Sequence, residues 1–347
     1  MITRLLPLET KNEVYFGDQF YEDVKHLMLR QQIKQRKICL LTGQRSFRSS
    51  HFSHQLYSVM DELDNDIVYS FVVASNPRRK DIESSVKELQ AKGVEDIVAV
   101  GGGSVIDYAK ACKMLMPDNL NIFSIYTNTG SGSIVSPFII YDNHEFKVGE
   151  HSENSVPTLA YVNKSIIESN PHFIIGGGVC DIYCHAVESY FSNVATDASR
   201  QLSLQAVESL GEYLEKGNVE DLVVADLYAI LSESQGIVLS PHALGHDLTY
   251  TSKIAHRYAS IIFMESFLSH LKKMKTRVPD TFEVMLQQII GRFGQYFPTT
   301  FPPAITEERM DVIERYMGFT IENSPVPVTR GDLVKIYTES TSRGLRS

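Results

Sequence analysis

The sequence has 347 residues, of which 43% are hydrophobic and 22% are charged. This composition suits about two globular domains and excludes a disordered or fibrous chain. The net charge of −9 argues against a nucleic-acid surface, which needs a basic face. No run of about 20 apolar residues could cross a membrane. Four cysteines without a CxxC pair predict neither a disulfide scaffold nor a zinc ribbon, so we expect a reduced, cytoplasmic protein.

Short apolar runs alternate with amphipathic segments up to about residue 160. The predicted strands cover residues 37–42, 66–73, 96–100, 121–126 and 137–141, and the predicted helices between them cover residues 50–63 and 79–92. Because strands and helices alternate, the pattern predicts a mostly parallel sheet with helices on both faces.

Strand signals fade after about residue 164, and helical periodicity takes over. The predicted helices cover residues 178–193, 197–215, 219–239, 257–273, 281–295, 306–317 and 330–342. Proline and glycine residues, Pro241 among them, separate these segments. We therefore predict an α/β nucleotide-binding domain over residues 1–163 and an all-helical metal and substrate domain over residues 164–347.

Two loops rich in small residues follow predicted strands. The first is Gly101-Gly102-Gly103-Ser104, which leads into a helix. Glycines let a phosphate approach the backbone, and Ser104 could cap the helix or donate to a phosphate. Alone this is a weak signal, and it is not the GxGxxG fingerprint. The second loop runs from Thr127 to Ser133, and two such loops together favour a pyrophosphate site.

A cluster of potential metal ligands occurs in two later segments. Asp181 and His185 are four residues apart, which on a helix places both side chains on one face. His242, His246 and His256 follow within 15 residues. One carboxylate with several imidazoles suits a divalent metal such as Zn²⁺ or Fe²⁺. The spacing alone does not choose between His242 and His246 as the ligand.

These motifs together resemble the iron-containing (group III) alcohol dehydrogenases, whose fold is similar to that of dehydroquinate synthase. The resemblance rests on GGGSVIDYAK at 101–110, TNTGSGS at 127–133, the Asp181–Tyr190 segment, HALGH at 242–246 and His256. The resemblance covers residues 5–275, and the metal motif is the feature most specific to the family.

The resemblance implies a metal-containing NAD(P)-dependent alcohol dehydrogenase or aldehyde reductase, which transfers hydride between a nicotinamide and a small alcohol or aldehyde. The implied metal ligands are Asp181, His185, His242 and His256. His246, beside the nicotinamide and substrate, and Asp107 are the expected catalytic side chains. The implied cofactor-binding residues are Gly101, Gly102, Gly103, Ser104, Thr127, Asn128 and Ser131, with Asp107 and Lys147 close by. A homodimer or larger homo-oligomer is also implied.

The turn after the first predicted strand bears on cofactor choice. An acidic residue there binds the ribose of NAD, whereas small and basic residues accommodate the 2′-phosphate of NADP. Gly43, Gln44, Arg45 and Ser46 include no carboxylate. The sequence therefore favours NADP(H) over NAD(H), with a solvent-exposed Arg45 as the alternative.

The chain departs from the family pattern at Ile134, Asn163 and Arg257, where the family commonly has Glu, Asp and Gly. Two interpretations of Arg257 stay open: it faces an anionic substrate, or it points into solvent. Two other functions also stay open. One is a dehydroquinate-synthase-like lyase or cyclase, which the Asp-plus-three-His set argues against. The other is a non-catalytic nucleotide-binding relative.

Overall fold

The computed structural model describes residues 2–5, 12–44, 47, 51–116, 120–302 and 304–343. Its chain forms two units, which are described in turn. An α/β unit comprises Met1–His144 and Val148–Asn170, and a helical unit comprises Glu145–Lys147 and Pro171–Ser347. The short segment Glu145–Lys147 therefore belongs to the helical unit although both of its flanks belong to the α/β unit.

Strands and helices alternate through the first part of the chain. In order they are β1 (Thr3–Leu5), β2 (Glu13–Gly17), α1 (Phe20–Arg30), β3 (Lys37–Gly43), α2 (His51–Glu62), β4 (Asp66–Val73), α3 (Arg79–Lys92), β5 (Asp96–Gly101), α4 (Gly103–Leu115), β6 (Asn121–Tyr126), β7 (Phe138–Asp142), β8 (Lys147–His151), β9 (Leu159–Asn163) and α5 (Lys164–Glu168). The main sheet has the strand order β1-β2-β9-β6-β5-β3-β4, and β7 pairs with β8 separately. Only β1 runs antiparallel to its neighbour among the described pairings of the main sheet.

Strand β5, in the interior of the main sheet, is buried on both faces, and its alternating side chains enter two different cores. Val98 and Val100 pack with side chains of α1 and α2. Ile97 and Ala99 pack with side chains of α3 and α4. Alternation along a strand sends successive side chains to opposite faces, so both faces of this sheet are covered by helices. This arrangement places the carboxyl ends of β5 and β6 beside each other, where both small-residue loops begin.

Helices make up the rest of the chain. They are α6 (His172–Phe191), α7 (Asp197–Lys216), α8 (Val219–Gly236), α9 (Ser240–Ser252), α10 (His256–Ala259), α11 (Ile261–Lys273), α12 (Asp280–Phe293), α13 (Glu307–Glu322) and α14 (Arg330–Arg343). Among the described helices, none is long and apolar enough by itself to span a membrane; α8 and α9 meet the length and composition criteria only as a pair bent by 107°.

Small polar side chains bring α6, α7 and α8 together. The hydroxyls of Ser189, Ser203 and Ser232 form a buried network, in which Ser232 Oγ lies 2.8 Å from Ser189 Oγ and 2.7 Å from Ser203 Oγ. Ser189 also donates to the carbonyl of His185 at 2.6 Å. Because each of these three buried hydroxyls has a hydrogen-bond partner, the small serine side chains let the helices pack together without leaving a polar group unsatisfied. Packing of α7 and α8 against α6 in turn holds α6 in place, and with it Asp181 and His185.

The predicted fold class, a mostly parallel α/β domain followed by helices, is confirmed. Several elements differ from the sequence-based expectation, among them a strand and a helix. The strand predicted at 137–141 exists as β7 but lies outside the main sheet. Helix α9 was expected to be a break because it contains Pro241. Proline is tolerated in the first helical turn, since those N–H groups have no helical acceptor, and Pro241 occupies that place in α9.

Candidate metal site and nucleotide loops

Three segments of the helical unit bring the potential ligands together. Helix α6 carries Asp181 and His185 one turn apart on a buried face. Helix α9 carries His242 and His246 with the same spacing, and α10 begins at His256. The side chains at i and i+4 of each helix point the same way, so both helices present a pair to one region.

The tightest part of this cluster contains Asp181, His185 and His242. Each offers one ligand-type atom, and those atoms all lie within 4.8 Å of one another. His242 Nε2 is 3.7 Å from Asp181 Oδ1, and the His185 and His242 rings stack with centroids 4.7 Å apart. His256 lies beside this group: its ring centroid is 5.8 Å from that of His242 and 4.9 Å from that of His246.

Several potential metal-ligand atoms of this cluster are buried and have no hydrogen-bond partner in the part of the chain that the structure describes. They are Asp181 Oδ1, His185 Nδ1, His242 Nε2 and His256 Nδ1. A buried polar atom without a partner costs about 1–3 kcal/mol. The ligand-type atoms of Asp181, His185 and His242 lie close enough together to fit one divalent cation, and the ring of His256 lies beside them.

Burial and neighbouring charges have opposite effects on the pKa of Asp181, the carboxylic acid of this cluster. Burial alone would raise the pKa of Asp181. The imidazoles of His256, His185 and His242 outweigh it and hold the pKa of this carboxyl well below its usual range. Asp181 is therefore ionised at neutral pH and available as an anionic ligand. Cys180 and Cys184 are also buried, and burial raises the pKa of both thiols well above the ordinary value, so they pack as neutral apolar side chains.

Glu188 orients His242 from one turn further along α6. His242 Nδ1 donates to Glu188 Oε1 at 2.5 Å. The backbone N–H groups of Leu239 and His242 donate to Glu188 Oε2 at 2.7 and 3.2 Å, so the same carboxylate also holds the start of α9. A proton on Nδ1 leaves Nε2 as the ring atom that faces Asp181. Burial opposes protonation of this ring, but Glu188 and Asp181 together raise the pKa of His242 to about 10.

His246 has a different environment from the other histidines. Its Nδ1 lies 3.2 Å from the carbonyl oxygen of Lys147, and because a carbonyl only accepts, Nδ1 carries the proton. The free atom of the ring is therefore Nε2. Burial, with smaller contributions from the charges of Lys147 and His242, lowers the pKa of His246 to about 3. Burial and Lys147 also lower the pKa of His256. Both rings are neutral at physiological pH.

The two small-residue loops of the α/β unit pack directly against each other. A methyl group at Gly102 would lie 2.3 Å from Asn128 Oδ1, and one at Gly103 would lie 2.4 Å from Ser131 Oγ. The backbone N–H of Thr127 donates to the carbonyl of Gly101 at 3.1 Å. The glycines thus admit the second loop, besides exposing backbone at the start of α4, where N–H groups lack helical acceptors.

Ser104 and Asp107 have local partners in this region. Of the two roles left open for Ser104, capping of α4 is not the one observed: Gly102 is the N-cap, and the Ser104 hydroxyl donates to the carbonyl of Ser75 at 2.7 Å. Asp107 Oδ1 accepts from Ser133 Oγ at 2.5 Å and from the fully buried Lys110 at 3.3 Å. Asp107 therefore anchors the second loop to α4.

The remaining sequence-predicted residues are placed as follows. Gly43 ends β3, whereas Arg45 and Ser46 lie outside the described residues. Lys147 belongs to the helical unit, where its carbonyl meets His246. Ile134 is buried and Asn163 caps α5 by accepting from the N–H of Ile166 at 3.0 Å. Sequence reasoning missed the roles of Glu188 and Lys110; the only signal of either was its place within a family motif.

An α/β unit with two glycine-containing loops and a helical unit with a carboxylate–histidine cluster define a nucleotide- and metal-dependent oxidoreductase. The family model for iron-containing alcohol dehydrogenase matches residues 11–164. This match covers less than half of the chain, and together with the relatives below it makes the chain similar to the iron-containing alcohol dehydrogenases, which are oxidoreductases that act on CH–OH groups.

Individual relatives are distant but similar over long stretches. Alcohol dehydrogenase 4 of Saccharomyces cerevisiae is 21% identical over 330 residues, which cover 88% of this chain and 84% of the yeast protein. 4-Hydroxybutyrate dehydrogenase of Clostridium kluyveri is 27% identical over 57% of this chain and 60% of its own length. The crystal structure of an iron-containing alcohol dehydrogenase from Thermotoga maritima has the same fold, with a TM-score of 0.81, 21% identity and coverage of 97% of this chain and 100% of that one.

Proposed function

We propose that this chain interconverts small alcohols and aldehydes by hydride transfer with NAD(P)(H) at a divalent metal site. One observation carries the proposal: the ligand-type atoms of Asp181, His185 and His242 lie within 4.8 Å of one another, and each of these residues and the neighbouring His256 has a buried atom without a hydrogen-bond partner among the described residues. The two named relatives, an alcohol dehydrogenase and a 4-hydroxybutyrate dehydrogenase, support this class of reaction.

In this proposal Asp181, His185, His242 and His256 bind Fe²⁺ or Zn²⁺. Asp181 brings the negative charge, and the three imidazoles complete a donor set that both metals accept, with metal binding displacing any proton from the ligating nitrogen. Glu188 keeps the proton of His242 on Nδ1, which leaves Nε2 for the metal. When bound, the metal would polarise the oxygen of the substrate, and the nicotinamide would supply or accept the hydride.

His246 is the side chain to which we assign proton exchange with the substrate oxygen. Its Nδ1–H is held by the Lys147 carbonyl, so a proton can be taken up or released only at Nε2. The neutral ring can accept a hydrogen bond from an alcohol, and it carries no positive charge that would compete with a metal. The His246 residue is buried as a whole, which favours proton exchange with a group bound beside it.

We assign the nucleotide to the two packed loops of the α/β unit. The backbone around Gly101, Gly102 and Gly103 would receive the pyrophosphate at the start of α4, and Thr127, Asn128 and Ser131 would line the site. Asp107 supports it by holding Ser133. NADP(H) is the preferred form, because residues 43–46 contain no carboxylate. A clearly higher kcat/KM with NADH would contradict this preference.

Assembly and location form a separate part of the proposal. We propose a homodimer or larger homo-oligomer in the cytoplasm, on the basis of the family resemblance and the cysteine content. Sedimentation velocity at micromolar concentration would test the assembly, and a monomer would contradict it.

The direct test of the reaction is stoichiometric turnover. Protein reconstituted anaerobically with Fe²⁺ or Zn²⁺ is incubated with NADPH or NADH and a panel of neutral and anionic short-chain aldehydes. We expect one cofactor oxidised for each aldehyde reduced, and loss of turnover in His185→Ala, which lacks a ligand. A lyase or cyclase would leave the cofactor unconsumed, and a non-catalytic relative would leave both cofactor and aldehyde unchanged.

A further inference from the structure

Arg257 and Tyr258, which directly follow His256, attach the short helix α10 to the first turn of α6. Arg257 Nη1 donates to the carbonyl of Ile174 at 3.2 Å. The Tyr258 hydroxyl donates to the carbonyl of Phe173 at 2.6 Å. Both acceptors belong to the helix that carries Asp181. We call this set of contacts, together with Gly177 described next, the α10 anchor.

Gly177 of α6 makes room for the side chain of Arg257. A methyl group at Gly177 would lie 2.1 Å from Arg257 Cδ, 2.5 Å from Cγ and 3.0 Å from Cβ. These distances are shorter than any real carbon contact, so alanine would displace the arginine stem. A glycine inside a helix costs about 1 kcal/mol relative to alanine, and the buried Gly177 admits the neighbouring side chain in return.

The anchor lies one helical turn from the proposed metal ligands. Gly177 precedes Asp181 by four residues, so the two positions share a face of α6. Arg257 is the neighbour of His256 in sequence. A helix of four residues has too few internal hydrogen bonds to fix its own orientation, so contacts outside α10 must set the direction of the His256 ring.

We propose that Arg257 is a positioning residue that sets His256 against Asp181 through Gly177 and the Ile174 carbonyl. This inference rests on the proposed function, in which His256 is a metal ligand. It replaces both earlier interpretations of Arg257: the guanidinium binds a helix carbonyl and its stem packs on a glycine, so neither an anionic substrate nor solvent explains the residue.

The test measures Co²⁺ binding, because Co²⁺ reports its ligand geometry through visible absorption and its affinity through competition with a chelator. The variants are Arg257→Ala, Arg257→Lys, Gly177→Ala and the double variant Gly177→Ala with Arg257→Ala. Gly291→Ala is the matched control, since a methyl group there meets nothing within 4 Å. Thermal unfolding of each metal-free protein separates loss of fold from loss of ligand geometry.

We expect Arg257→Ala to change the Co²⁺ spectrum and weaken binding about 10-fold or more, the range seen when a group that orients a ligand is removed. Gly177→Ala should act in the same direction because it displaces Arg257. In the Arg257→Ala background the two closest contacts are gone and only the one to Cβ at 3.0 Å remains, so Gly177→Ala should add little further. Arg257→Lys should recover the stem contact but only part of the affinity, and Gly291→Ala should match the wild type.

Three results would overturn the inference, and they can be told apart. If the wild type binds Co²⁺ and Arg257→Ala gives the same spectrum and affinity, the α10 anchor has no positioning role. Simple addition of the Gly177→Ala and Arg257→Ala effects would show that the two residues act independently and would contradict positioning through Gly177. If the wild type binds no Co²⁺, the proposed metal site itself fails, and the anchor fails with it. A Gly177→Ala protein that does not fold leaves the Arg257 variants as the deciding measurement.

Discussion

Single residues determine which atom each ligand presents. Glu188 is an example, since it accepts from His242 Nδ1 and from two backbone N–H groups at the start of α9. One carboxylate therefore fixes both the tautomer of a ligand and the position of the helix that carries it. A carboxylate behind a metal-binding histidine also raises the basicity of the ring.

Glu188→Gln should weaken metal binding about 10- to 100-fold, the usual effect of losing such a partner. The amide oxygen can still accept from Nδ1, but the amide nitrogen cannot accept from the backbone of α9. The measurement is the dissociation constant for Zn²⁺ by chelator competition. Glu215→Gln, at an exposed position of α7, is the control and should leave the constant unchanged. An unchanged constant in Glu188→Gln would contradict the role given to Glu188.

The residues of the metal cluster could be found from the sequence, because i,i+4 spacing on a helix places Asp181 and His185 together. The contacts that orient them could not. Glu188 meets His242 only because α9 begins against α6, and Arg257 meets Gly177 only because α10 crosses the same helix. Such contacts join residues more than 50 positions apart and depend on tertiary packing.

At the scale of elements, loops and helices constrain each other through glycines. The loop after β5 can approach the loop after β6 because Gly102 and Gly103 lack side chains. Lys110 and Asp107 then hold the second loop to α4 from the opposite end. The nucleotide site that we propose is therefore an assembly of two loops, in which a change in one displaces the other.

Gly102→Ala should weaken NADPH binding by about 10-fold or more, equivalent to ~1.4 kcal/mol, because its methyl group would meet the Asn128 side chain. The metal affinity should stay the same, since Gly102 belongs to the α/β unit. Cofactor titration by calorimetry gives the dissociation constant, and Asn128→Ala in the same background should restore part of the binding. Wild-type affinity in Gly102→Ala would show that the two loops do not act as one site.

Elements with a clear period were predictable, and those set by tertiary contacts were not. The predicted strands at 66–73 and 121–126 match β4 and β6. Helix α6 begins at His172, ahead of the expected residue 178, because Phe293 and Arg257 pack where Gly176 and Gly177 lack side chains. Glycine in a sequence predicts the end of a helix, and these packing neighbours cannot be known from the sequence.

At the scale of the whole chain, the segment Glu145–Lys147 belongs to a unit that neither flank would suggest. Phe146 packs in the hydrophobic core of the helical unit, and its ring stacks on Tyr316 with centroids 5.5 Å apart. The next residue, Lys147, supplies the carbonyl that fixes the His246 tautomer. No periodic pattern in three residues could have indicated this, because the effect comes from long-range packing alone.

The central claim is that the helical unit holds one catalytic metal, and metal content tests it most directly. Wild-type protein, His256→Ala and the exposed-histidine control His54→Ala are purified anaerobically without chelator and measured by elemental mass spectrometry. We predict about one Fe or Zn per chain in the wild type and in His54→Ala, and a large loss in His256→Ala. A wild-type protein that holds no metal, even after Fe²⁺ or Zn²⁺ is added, would contradict the account.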